Sequence, residues 1–68
     1  MTKSYLLSVD PDRLNTVVSV LKTKNVIVKN VLENISVIVV SYPEDKLADL
    51  RSIDGVQSVE EEGTSYAI

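Results

Sequence analysis

Twice within 68 residues a run of β-forming residues leads straight into a proline-and-acid helix start, and each helix is followed by a second β-forming run. The first start is Asp10-Pro11-Asp12, which supplies an N-cap carboxylate, a proline for the first helical position and negative charge near the helix N-terminus. The second is Pro43-Glu44-Asp45. Ahead of the first, residues 3–9 (KSYLLSV) alternate Tyr5, Leu7 and Val9 against Ser4, Leu6 and Ser8, the period of a strand. Behind it, Leu14, Val17, Val18 and Leu21 recur at helical spacing as far as about Lys24. Residues 26–32 (VIVKNVL) and 35–41 (ISVIVVS) read as two strands joined through Glu33-Asn34, and the second is apolar on both faces, as a central strand is. Leu47, Leu50 and Ile53 form the inward stripe of the second helix, and Gly55 follows where a left-handed cap needs no Cβ. Residues 56–62 (VQSVEEE) make the last strand, and residues 63–68 have no evident place in a core.

This order predicts one α+β domain spanning residues 1–68, of the ferredoxin-like βαββαβ kind. Its four-stranded antiparallel sheet carries two helices on one face, with strands 1 and 3 in the middle. The other face is open, and the sequence places some of Leu6, Ile38 and Val40 on it. An apolar open face is a candidate docking surface. The alternative is that these are ordinary β-formers in a thinly covered sheet.

The residue types that are missing narrow the function sharply. The chain has no cysteine and no histidine, so thiolate nucleophiles, the usual proton shuttle and the commonest transition-metal ligands are all absent. Eight serines are present, but none has a histidine base, and the only glycines, Gly55 and Gly63, make no phosphate loop. We therefore expect a non-enzyme with no cofactor and no metal. Asp45 and Asp49, four apart, read as solvated helix charges. The net charge is −3, and residues 35–68 carry seven acidic groups against two basic. Such a chain suits a phosphate backbone poorly, and the two central strands offer Tyr5 as their one base-stacking aromatic, so no nucleic-acid partner is expected. Arg13 has no anion loop around it of the kind small acyl-phosphate hydrolases use. The longest wholly aliphatic run, residues 37–40, is far too short to span a membrane, and no secretory leader is evident. Localisation is left open, cytoplasmic if the chain is complete.

Two features remain. In Glu60-Glu61-Glu62, strand alternation sends Glu60 and Glu62 to one side and Glu61 to the other. Two carboxylates about 7 Å apart along a strand can each cap a helix N-terminus on a partner. Taken by themselves they read first as a solvated edge that discourages sheet-to-sheet aggregation. The tail, Gly63-Thr64-Ser65-Tyr66-Ala67-Ile68, can lie extended in a groove or fray as a terminus.

The C-terminal half resembles the subtilisin propeptide and inhibitor I9 family. The likeness rests on the spaced leucines of Asp45-Lys46-Leu47-Ala48-Asp49-Leu50, the turn Ile53-Asp54-Gly55, and the strand Val56-Gln57-Ser58-Val59-Glu60-Glu61-Glu62. Ser4-Tyr5-Leu6-Leu7-Ser8-Val9 is similar to the family's first strand, and the middle, from about residue 15 to 34, matches in pattern only. The resemblance implies a protein that packs its open sheet face on two surface helices of a subtilisin-like serine protease. Glu60 and Glu62 would then cap those helices. Ser65, Tyr66, Ala67 and Ile68 would fill the substrate subsites, with Ile68 nearest the nucleophile. The chain departs from the family pattern in its β-branched Ile68, its polar Ser65, and Glu62 where aspartate is more common. A free-standing inhibitor and an excised propeptide are both compatible with it. The alternative of a different class is a small structural or regulatory module that self-associates through its sheet. The expected state is accordingly a monomer or a homodimer.

Overall fold

The computed structural model describes residues 2–62. Strand β1 (Thr2–Val9) is followed by a 3-10 turn (Pro11–Arg13) and helix α1 (Leu14–Thr23). Strand β2 (Ile27–Leu32), a 3-10 turn (Glu33–Ile35) and strand β3 (Val37–Pro43) come next. A third 3-10 turn (Glu44–Lys46), helix α2 (Leu47–Arg51) and strand β4 (Val56–Glu61) complete the order. The strands form one open antiparallel sheet in the order β2-β3-β1-β4, so β1 and β3 are central, as the α+β reading expects.

The proline-and-acid signals start both helical segments, but through a 3-10 turn in each case. Asp10 is extended (φ −66°, ψ 125°) and its carboxylate accepts the Asp12 N–H at 3.0 Å. Helix α1 ends in a Schellman arrangement. Val26 N–H donates to Leu21 O at 2.9 Å, Asn25 N–H donates to Lys22 O at 3.1 Å, and Asn25 itself is left-handed (φ 63°). Leu21 and Val26, the apolar pair that accompanies such a cap, are both buried. Helix α2 has only five residues, yet the expected stripe is present: Leu50 is fully buried, Ile53 nearly so, and Leu47 packs against the same cluster. Ile53 and Gly55 lie beyond the helix, in the turn that leads into β4.

The core lies between the helices and one sheet face. Tyr5, Leu7 and Val9 of β1 meet Ile38 and Val40 of β3, and α1 adds Val17 and Leu21. The pairs Leu7↔Ile38 and Tyr5↔Val40 are cross-strand partners, so these four side chains point the same way, towards the helices. Among the described residues no polar or charged side chain is buried. No described helix is long and apolar enough to cross a membrane.

Several boundaries differ from the sequence reading: β2 starts at Ile27, β3 runs on to Pro43, α2 ends at Arg51, before Ile53, and β4 ends at Glu61. Strand β3 starts at Val37 rather than Ile35, because Glu33–Ile35 winds into a 3-10 turn and Ser36 turns left-handed (φ 55°). Ile35 is thereby left 64% exposed.

Candidate functional site: the open sheet face

Cross-strand partners share a face, so the register lays out the uncovered side as three rows. At one end are Ile27, Ser41, Ser4 and Glu62. The first three follow from the pairs Ile27↔Ser41 and Ser4↔Ser41, and Glu62 joins them because its N–H donates to Ser4 O at 2.8 Å. The middle row is Asn30, Val39, Leu6 and Glu60. The third is Leu32, Val37, Ser8 and Ser58. The apolar residues thus gather on β2, β3 and the centre of β1. The serines are small enough to leave the surface low, and the carboxylates stand along β4.

Leu6 is on this face and half-buried, as expected. The placement of Ile38 and Val40 is corrected: both are fully buried on the helix side. Strand β3 is apolar at every position from 37 to 40, so its composition did not reveal which parity faces out; only pairing with β1 decides it. The residues on the open face are Val37 and Val39, and Val39 is opposite Leu6. The signal that could have found them is β1 itself. Its larger residues, Tyr5, Leu7 and Val9, claim the helix side, and any residue paired with Leu6 must then face out.

Glu60 and Glu62 lie on the open side, and Glu61 on the other. Glu60 pairs with Leu6 through the backbone ladder, and its exposed side chain makes no hydrogen bond or ion pair among the described residues. Glu61 meets the Lys3 ammonium at 3.4 Å, and Lys3 also pairs with Glu44 at 3.0 Å. The hydrogen bond to Glu44, then the negative charges of Glu44 and Glu61, raise the Lys3 pKa above its ordinary value. On the same helix-side end, Tyr42 donates to Asp49 Oδ2 at 3.2 Å, and its pKa is raised by desolvation first and by Asp49 second. Asp49 is thus engaged by a phenol. Among the described residues no group of three potential ligands stands close enough to hold a metal ion.

Sequence reasoning missed Lys29. It is the extra residue of a bulge in β2, where the register shifts between Val28 and Asn30. Its ammonium donates to Ser4 Oγ at 2.8 Å and lies 4.0 Å from Glu62 Oε1. Nothing in the local pattern of VIVKNVL announces a bulge, so its reach over the face was not legible. An open depression of about 290 Å³ runs beside β4, lined by Arg51, Val56, Gln57, Ser58 and Val59. It holds none of the predicted site residues. Ser65, Tyr66, Ala67 and Ile68 lie outside the described residues. A scan of protein-family models and searches of curated proteins and of solved structures return no match to the chain.

Proposed function

We propose that this chain inhibits a subtilisin-like serine protease by docking its open sheet face on the enzyme and laying its C-terminal tail in the active-site cleft. The observation that carries the reading is the common side of Glu60 and Glu62, set beside a low apolar surface centred on Leu6 and Val39. Two carboxylates two residues apart on a strand match two adjacent helix N-termini, whose unpaired N–H groups and partial positive charge favour anions. The aliphatic rows supply the non-directional part of the contact, since covering them removes apolar surface from water. Residues 65–68 act as a substrate-like segment, and all bond-breaking chemistry belongs to the protease.

The test is an inhibition assay against a panel of subtilisin-like proteases, using the full chain and a version ending at Glu62. The full chain should inhibit below micromolar concentration and the shortened one more weakly. Absence of inhibition by both at micromolar concentration removes the reading. Replacing Glu60 and Glu62 together with glutamine keeps the shape and removes the charge. It should weaken inhibition by about 1–3 kcal/mol, the range for hydrogen bonds to charged groups. An unchanged inhibition constant would show that the carboxylates cap nothing.

A further inference from the structure

We propose that Lys29 is an autoinhibitory strap, closed across the open sheet face in the free chain and displaced when a partner docks there. This rests on the reading above that the face is the docking surface. Strand β2 is at the edge of the sheet, and β3 lies between it and β1. Two strand spacings, about 9–10 Å, therefore separate the Lys29 backbone from β1. The ammonium nevertheless donates to Ser4 Oγ on β1 at 2.8 Å and approaches Glu62 Oε1, beside β4, at 4.0 Å. The stem that connects them has to cross β3 between Val39 and Ser41, because Val28 pairs with Val40 and Ser4 with Ser41.

Val39 carries the mark of that crossing. It faces outward and is not part of the core cluster, yet it is only 8% exposed. Val37, which faces outward on the same central strand but lies away from the path of the lysine, is only half-buried. An apolar stem capped by a charge can cover aliphatic surface in this way. The bulge makes the crossing possible, since it puts two consecutive residues, Lys29 and Asn30, on the open side.

A closed strap opposes docking twice. It places a cation 4.0 Å from Glu62, one of the two carboxylates offered to the partner. It would also be trapped beneath the partner with one hydroxyl and a distant carboxylate, too few acceptors for a desolvated ammonium. Because Lys29 is on an edge strand, side-chain rotation alone can swing it off the sheet into water. The intact face is therefore reached only by partners whose contacts exceed the cost of that opening.

The experiment compares the full chain with Lys29→Ala and Ser4→Ala, the second keeping the lysine and removing its anchor. Both sites are at the surface, and circular dichroism checks that each variant is folded. In the free chain, a soluble nitroxide should broaden the Val39 methyl signals more in Lys29→Ala than in the parent, with Ser4→Ala between them and buried Val17 unchanged. Against the protease panel, Lys29→Ala should inhibit about two- to fivefold more tightly, the scale of an exposed ion pair. Val39 broadening that is unchanged in Lys29→Ala overturns the strap, whatever the inhibition assay gives. Weaker inhibition by Lys29→Ala also overturns it, since the lysine would then be a contact for the partner. Altered Val39 exposure with no inhibition by either chain sinks the docking reading and leaves the strap as a property of the free protein.

Discussion

Gly55 shows how one backbone position ties the two halves together. Its φ is +101°, its carbonyl accepts the Asp10 N–H at 2.9 Å, and a Cβ placed on it would lie 2.9 Å from Val17 Cγ2. Beside it, Arg13 forms an ion pair with Asp54. Gly55→Ala should therefore cost about 1–3 kcal/mol in urea unfolding, combining left-handed strain with displacement of a core valine. A loss within error of zero would show that the turn relaxes freely. The need for glycine was legible in the sequence, whereas the crowding against Val17 was not, because it depends on where α1 crosses the turn. At the other end of the molecule, Lys3 and Tyr42 both hold their protons more tightly when the chain is folded. That contribution is fully present below the ordinary values of 10.5 and 10.0 and fades as pH rises through the raised ones. The melting temperature of the parent should thus fall more steeply above pH 10 than that of a Lys3→Met/Tyr42→Phe double variant. Parallel alkaline limbs would count against both contacts.

Among the elements, the two helices depend on different things. Helix α1 has its own terminal hydrogen bonds, and the left-handed Asn25 completes them. Asn25→Ala should destabilise by about 1 kcal/mol and Asn25→Gly should be neutral or slightly stabilising. Equal losses from the two would mean that the side chain, not the backbone, matters there. Helix α2 is too short to persist alone and is held by what it buries. Leu50→Ala should cost about 2–5 kcal/mol, a large part of the stability of any small domain, and is read by the urea midpoint. The order of elements was legible because each helix start carries a proline and carboxylates that have few other uses. The length of α2 was not, since Pro43-Glu44-Asp45 signals a start but no local feature says how soon Ser52 will leave the helix. The parity of β3 was hidden for a related reason: four consecutive aliphatics have no polar side to read. The acidic pair is the opposite case. Strand alternation alone separates Glu60 and Glu62 from Glu61, and the sheet places them so.

In the molecule as a whole, the sheet of the described residues has two edge strands, and each is modified. Strand β2 carries its bulge at Lys29, and the Asn30 side chain accepts the Val31 N–H at 2.9 Å, occupying a donor that an incoming strand would need. Strand β4 has a register irregularity opposite Ser8 and Val9 and ends in glutamates. These devices disfavour edge pairing, and light scattering at about 100 µM, well above typical specific affinities, should give a monomer. A stable dimer would instead favour self-association through the sheet. The central place of β1 has one more consequence. Its final partner is β4, and the pair Tyr5↔Glu61 joins nearly the two extremes of the described chain. During synthesis β1 must wait for β4, with one flank bare and its backbone donors unmatched in the meantime. Loops that long are slow to close, so the nascent chain is most prone to stray pairing just before translation of β4 ends.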